Sequence, residues 1–296
     1  MNQTKKAMLM MLLTAFLWSL AGVFIKLIEM DALAIVCMRS FAASLTMLFF
    51  IRRQKLPWSW PMLGGALSYT AFTYCIILST KLTTSATAVM MQYTAPIYVA
   101  FFSWMILNER VRRSDWVCLA VVLGGMCLFF LDKMGGGSIL GNVIALGNGI
   151  SFALLSIFLR FQKGGHPEQS IFLGGFLAFL IGIPFTVRSF QSQLPSPRDI
   201  AVLVIAGIVV TVGYRLFTEA SKSLTALQTV MLPIIDPILN PVWVFLAVGE
   251  RPGAVSLCGG GIVLAAKAQE KPQIALFGAT SIGRDFAPRV SSALFS

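Results

Sequence analysis

Charge is scarce in this sequence, and acid is scarcest: 12% of 296 residues are charged, with 12 Asp and Glu against 23 Lys and Arg. A soluble domain carries about twice that charged fraction. Histidine occurs once, at His166, which excludes H-E-x-x-H and any histidine-rich metal centre. Gly135-Gly136-Gly137 and Gly259-Gly260-Gly261 do not fit G-x-x-x-x-G-K-[ST], so no nucleotide loop points to ATP as an energy source. The five cysteines, Cys37, Cys75, Cys118, Cys127 and Cys258, fall in apolar stretches and form no C-x-x-C. They read as small packing residues, not as a disulfide framework. No cluster of His, Asp or Lys marks a catalytic centre, so neither an enzyme nor a bound metal or cofactor is expected.

What the chain has in excess is apolar sequence: 57% of residues are hydrophobic and the mean hydropathy is +0.81. So much apolar surface does not fit inside a water-soluble core of this size. Ten spans are predicted, at 7–28, 33–51, 62–80, 85–107, 115–131, 139–160, 169–187, 200–220, 225–247 and 254–268. Most approach the roughly 20 residues that a helix needs to cross hydrocarbon. The expected fold class is therefore an all-α integral membrane protein. The first apolar run follows Lys5 and Lys6 but is too long for a signal-peptide core and lacks a small-residue cleavage site. It reads as the first helix. The segment from Lys271 to Ser296 mixes charge, Pro, Gly and Ser and is predicted to be a cytoplasmic tail.

Basic residues set the orientation. With ten spans and a cytoplasmic N-terminus, fifteen lie in inside segments, among them Arg52, Arg53, Lys55, Arg110, Arg112 and Arg113. Five lie outside: Lys81, Lys133, Arg188, Arg198 and Arg251. This bias predicts both termini in the cytoplasm. It also accounts for the net charge of +11 without nucleic acid, because the charges sit in short loops and not on one soluble face.

An internal repeat emerges at an offset of 141 positions. Thr70 matches Thr211, Lys81 matches Lys222, Thr84 matches Thr225, Pro96 matches Pro237, and Glu109-Arg110 matches Glu250-Arg251. Two units of five spans follow, 1–133 and 134–270, and the odd span number turns the second upside down in the membrane. Loop charges agree. Asn108-Glu109-Arg110-Val111-Arg112-Arg113 carries three arginines, while its mate Gly249-Glu250-Arg251-Pro252-Gly253 carries one. Inverted repeats are a signature of transporters that alternate access between two sides.

These features bring a family into view. Ala15-Phe16-Leu17-Trp18-Ser19, Arg39-Ser40-Phe41, Thr94-Ala95-Pro96 and Leu107-Asn108-Glu109-Arg110, with Gly249-Glu250-Arg251 and Ser151-Phe152-Ala153-Leu154 in the second unit, resemble the drug/metabolite transporter superfamily. The likeness is to its EamA-type, ten-helix members and covers residues 7–268. The ninth span departs from the family pattern in carrying Asp236, Asn240, Trp243 and three prolines. The resemblance implies a secondary transporter of the bacterial cytoplasmic membrane, acting as a monomer or weak homodimer. It implies export of small metabolites or amphipathic compounds. Uptake or facilitated diffusion is the rival direction. A lipid-modifying enzyme or a non-transporting receptor is the rival class.

Polar residues inside spans locate the candidate site, because hydrocarbon penalises them. Thr229, Pro233, Asp236, Asn240 and Trp243 share one face of the ninth span by their spacing. Thr211, Tyr214, Arg215, Thr218 and Lys222 are read the same way on the eighth, Ser85, Gln92, Pro96 and Ser103 on the fourth with Tyr93 beside Gln92, Tyr69, Thr73 and Thr80 on the third, Trp18, Gly22 and Lys26 on the first, and Asn148 and Ser151 on the sixth. Trp18, Tyr69, Gln92, Tyr93, Asn148, Tyr214, Asn240 and Trp243 are the candidate substrate contacts. Asp236, Arg215 and Arg39 are the candidate coupling or charge-pair residues. Simpler roles exist for each: interhelical hydrogen bonds for the small polar groups, a local Arg215–Glu219 helix pair, and extension of Lys26 and Arg39 to the interface. Glu109 and Glu250 are expected to pair with nearby arginines. Pro233, Pro237 and Pro241 predict a bent ninth helix with carbonyls free for ligand. Burial of Asp236 would favour a proton carrier, and a close cation such as Arg215 would favour a fixed counter-charge.

The orientation can be tested by single-cysteine labelling. Gln193→Cys on intact cells is expected to react with an impermeant thiol reagent, and protection there would reverse the assigned topology.

Overall fold

The computed structural model describes residues 3–54, 58–107, 138–192, 194–233 and 236–249. The expected fifth and tenth spans, both Glu-Arg signatures, the glycine triplets, Cys118, Cys127, Cys258, Lys133, Gln193 and the tail lie outside the described residues. Every regular element among those described is helical: α1 (Gln3–Ser19), α2 (Ala21–Leu27), α3 (Ala32–Ile51), α4 (Trp60–Leu82), α5 (Ser85–Gln92) and α6 (Ala95–Phe102). A π-helical turn (Ser103–Leu107) follows, then α7 (Ile139–Phe161), α8 (Glu168–Ser192), α9 (Pro197–Ser221), α10 (Ala226–Met231) and α11 (Asp236–Val248). Among the described residues, seven helical stretches are long and apolar enough to cross a membrane: Lys5–Leu27, Ala32–Ile51, Trp60–Leu82, Ser85–Leu107, Ile139–Phe161, Glu168–Ser192 and Pro197–Ser221. Leu239–Val248 adds a shorter apolar helix. These coincide with the first to fourth and sixth to ninth predicted spans.

Helix starts carry the chemistry that free N–H groups require. Ser59 accepts from the Met62 N–H, with Pro61 at the first turn of α4. Ser196 accepts from the Asp199 N–H ahead of Pro197. Thr84 accepts from the Thr87 N–H at the head of α5, and Thr225 forms a reciprocal capping box with Gln228 at the head of α10.

The two capped helices then stop early. The 85–107 segment breaks at Tyr93 and Thr94, and the helix that starts at Ala226 ends at Met231, with Leu232 and Pro233 in a turn. The second break follows the expected proline bend. The first was not anticipated, although Pro96 stands at the first turn of α6. The first span is also interrupted, at Leu20.

Among the described residues the exterior is apolar, and the interior sets polar groups within an apolar core. Leu9, Leu12, Phe16, Leu45, Phe49 and Ile181 are exposed, while Ser40, Thr70, Ser85, Gln92, Asn148, Thr211, Asp236 and Asn240 are buried. Such a surface suits lipid, and buried polar groups then bond to backbone because no water is available. Thr70 Oγ1 donates to the Ala66 and Gly174 carbonyls, tying α4 to α8. Thr211 Oγ1 donates to the Ala43 carbonyl, tying α9 to α3. α4 packs along α7 and α9 along α1, α3 lies against α8, and the broken helices meet through α5 with α11 and α6 with α10.

Glycine permits the closest of these approaches. A Cβ on Gly174 would stand 2.5 Å from the Ala66 carbonyl oxygen, which is fixed backbone in α4. Gly174→Ala should therefore lower thermal stability in detergent by about 1–3 kcal/mol. Gly164→Ala, where nothing lies within 4 Å, should leave stability unchanged.

Candidate functional site

The helix breaks gather around one interior cavity. Its walls are Trp18, Ala21, Gly22 and Ile25 from the first span, Arg39 from α3, and Phe72, Ile76 and Thr80 from α4. Val89 and Gln92 of α5, Tyr214 of α9, and Asp236 and Asn240 of α11 complete it. The cavity is small, about 40 Å³, enough for a few waters. An organic substrate needs the surrounding helices to part.

Its polar side is built around Asn240. The side-chain oxygen accepts from Ser85 Oγ at 2.7 Å, and Nδ2 donates to the Ser19 carbonyl at 3.1 Å, at the end of α1. Gly22 makes room for this junction: a Cβ there would meet Ser85 Oγ at 2.3 Å and Asn240 Nδ2 at 2.5 Å. One side chain thus fastens α11 to both α1 and α5. The apolar floor is a ring cluster around Trp18, with Tyr214 at 4.8 Å, Phe217 at 5.2 Å and Phe152 at 5.8 Å between centroids. The indole Nε1 of Trp18 has no hydrogen-bond partner among the described residues.

Asp236 opens the first turn of α11 and is 3% exposed. Its Oδ2 lies 3.5 Å from the Tyr93 hydroxyl, and its Oδ1 has no partner among the described residues. The helix N-terminus beside it favours negative charge. Tyr93 also donates to the Pro233 carbonyl. Pro237 has no N–H to offer that carbonyl, so the tyrosine takes the place of the missing helical bond. The Asp236 N–H reaches the same oxygen at 3.0 Å. The Pro233 carbonyl is therefore occupied, contrary to the expectation that it would be free for ligand.

Of the residues predicted from the sequence, Trp18, Gln92, Tyr214, Asn240, Asp236 and Arg39 line the cavity. Tyr93 stands behind Asp236. Tyr69 packs edge-on to Tyr214 at 4.8 Å and supports it from behind. Asn148 is buried against α5 and donates to the Ala88 carbonyl. Trp243 bonds to Ser19 Oγ and packs on Phe16, away from the cavity.

The two candidate arginines point in different directions. Arg215 pairs with Glu219 at 3.0 Å, is 31% exposed and does not face Asp236. Successive helical residues point about 100° apart, so Tyr214 turning inward sends Arg215 away. Arg39, a candidate charge-pair residue whose simpler role was extension to the interface, is 5% exposed and faces the cavity. Lys26 stays nearer the surface and donates to the Thr83 carbonyl. Sequence reasoning missed Ser19, whose carbonyl and hydroxyl receive α11. The i, i+4 stripe through Trp18, Gly22 and Lys26 passed it by, and the interruption at Leu20 was the signal lacking.

The model described as the EamA-like transporter family matches residues 5–131 and 139–268. The chain belongs to the EamA-like transporter family. It is 26% identical over 275 residues to the pseudopaline exporter CntI of Pseudomonas aeruginosa, covering 88% of this chain and 94% of that one. It is 27% identical to the threonine/homoserine exporter RhtA of Escherichia coli, covering 73% and 71%. A solved crystal structure with 17% identity covers 88% of this chain and 95% of its own at a TM-score of 0.68, so the fold is shared. With its apolar helices, this makes the chain a multi-pass transporter of a bacterial membrane, and its relatives imply a small-molecule substrate.

Accessibility separates the cavity wall from its support. In a background without native cysteines, Gln92→Cys should react with a small thiol reagent. Asn148→Cys, buried behind α5, should remain protected. Equal inertness at both would make Gln92 a packing residue.

Proposed function

We propose that this protein is a secondary exporter that carries a small molecule through the central cavity by alternating access, with a proton as the counter-substrate. The carrying observation is Asp236: a buried carboxylate on the cavity wall, at the break of a helix, with one oxygen unpartnered among the described residues and a side-chain bond to Tyr93. An intramembrane carboxylate without a fixed cation is costly as a purely structural group. It is suited to hold a proton or a ligand by turns, and one free oxygen does not serve both at once. The groups facing it are Tyr93, Tyr214 and Arg39, and none forms an ion pair with it among the described residues. The absence of a nucleotide loop in the sequence favours an ion gradient as the driving force.

The ten-helix, two-half architecture is part of this reading. The family match falls in two segments, 5–131 and 139–268, which supports division near residues 133 and 134. Repeat-related threonines support it too: Thr84 and Thr225 cap the two broken helices, and Thr70 and Thr211 each bond to the backbone of a neighbouring helix. The exchange of partners, α4 on α7 and α9 on α1, suits halves related by a pseudo-two-fold axis in the membrane plane. The basic-residue bias favours both termini in the cytoplasm. Export as the direction draws on the printed functions of CntI and RhtA.

The test is Asp236→Asn in sealed proteoliposomes. Wild-type efflux of a loaded metabolite mixture should accelerate when the outer buffer is made acidic, because inward proton flow then drives release. The variant keeps the shape and cannot titrate, so it should lose that acceleration. Wild-type rate with the same response to the gradient would remove Asp236 from the coupling mechanism.

A further inference from the structure

One end of the bundle carries positive charge that no described residue answers. Gln54, just past α3, donates to Glu168 at the head of α8. Gln162, just past α7, donates to the Pro61 carbonyl at the head of α4 and to Ser170 of α8. These bonds bring the ends of α3 and α7 and the starts of α4 and α8 to one face. Arg52, Arg53 and Lys163 stand exposed on it and form no ion pair among the described residues.

The other charges of this end are engaged. Lys222 meets Glu219 and Glu168, and Arg215 meets Glu219. Arg160 donates to the Ser221 and Lys222 carbonyls at the end of α9. Glu168 is 1% exposed and beyond reach from outside. The opposite end is built differently. Glu29 and Asp31 are exposed there alongside Arg188 and Arg198, and Lys26 and Lys81 turn onto the Thr83 and Ile28 carbonyls.

Aromatic rings stand beside the unanswered cations. Trp58 is 73% exposed and Trp60 64%. Trp60 packs edge-on to Phe158 at 5.4 Å and against Phe161 at 5.8 Å, which fixes its ring on α7 close to Lys163. The Arg52 guanidinium lies over the Phe49 ring at 4.6 Å, holding that cation at the apolar margin of α3. Indole rings favour the level of lipid headgroups, and a cation held at that level meets phosphate. A soluble acidic partner would answer the charges and leave Phe49 and Trp60 without cover, whereas a lipid brings both an acid and an apolar chain. We infer that this face binds anionic phospholipid, with Arg52, Arg53 and Lys163 taking the headgroup phosphates and the Phe49 and Trp60 rings lying along the upper acyl chains.

The test uses the full chain in a neutral detergent, with the melting midpoint followed as lipid is added. Phosphatidylglycerol should raise the midpoint and saturate. Phosphatidylcholine should not, and neither should glycerol 3-phosphate, which has the phosphate without the chains. Arg52→Gln/Arg53→Gln/Lys163→Gln should raise the half-saturating concentration about a hundredfold, at about fivefold for each basic residue. Arg188→Gln/Arg198→Gln at the opposite end should leave it unchanged. If the triple variant does not fold, Arg53→Gln and Lys163→Gln decide singly, at about fivefold each. Equal stabilisation by phosphatidylcholine would overturn the inference. So would an unshifted response in the basic-residue variants, or an equal loss in Arg188→Gln/Arg198→Gln. Equal stabilisation by glycerol 3-phosphate would make the face a site for free anions and overturn the lipid assignment.

Discussion

In hydrocarbon a polar group has no water to fall back on, so every interruption of a helix must be repaired from within the bundle. The centre of this molecule is arranged around that requirement. The first span breaks at Leu20, and Asn240 bonds to the carbonyl of Ser19 just before it. The ninth breaks ahead of Asp236, and Tyr93 bonds to the carbonyl that Pro237 cannot serve. Each repair comes from a different helix, so the breaks lock to one another. The same crossing produces the cavity, because helices that have broken present their ends and not their sides. The candidate site thus lies where the backbone required outside help.

The exterior follows from the same rule in reverse. Leu9, Leu12, Phe16 and Phe49 are exposed without penalty where the surroundings are lipid. The buried serines and threonines hold helices through backbone carbonyls, which needs no partner side chain. That economy lets Thr70 and Thr211 act alike on different helices although the residues around them differ.

Much of this was legible in the sequence. Eight spans coincide with described helices because apolar runs and charged loops are strong signals at this length. Asp236, Asn240, Gln92, Trp18 and Tyr214 were legible because polar and aromatic residues at 3–4 residue spacing stand out against apolar background. The roles of the arginines were not. Arg39 and Arg215 look equivalent in sequence, and only the rotation of α3 and α9 decides which one faces inward. The break at Tyr93 was also hidden, since Pro96 begins the next helix and carries no signal for where the previous one ends. Trp243 and Asn148 shared the right spacing but pack against other helices. Periodicity fixes a shared stripe, and the stripe's bearing comes from neighbours far along the chain.

Tyr93 has one hydroxyl hydrogen and two claimants, the Pro233 carbonyl and the Asp236 carboxylate. A charged carboxylate is the stronger acceptor and draws that hydrogen toward itself. A neutral or ligand-engaged one releases it to the carbonyl. The Pro233 carbonyl keeps the Asp236 N–H in either case, so the helix joint and the acid beside it compete for one phenol hydrogen.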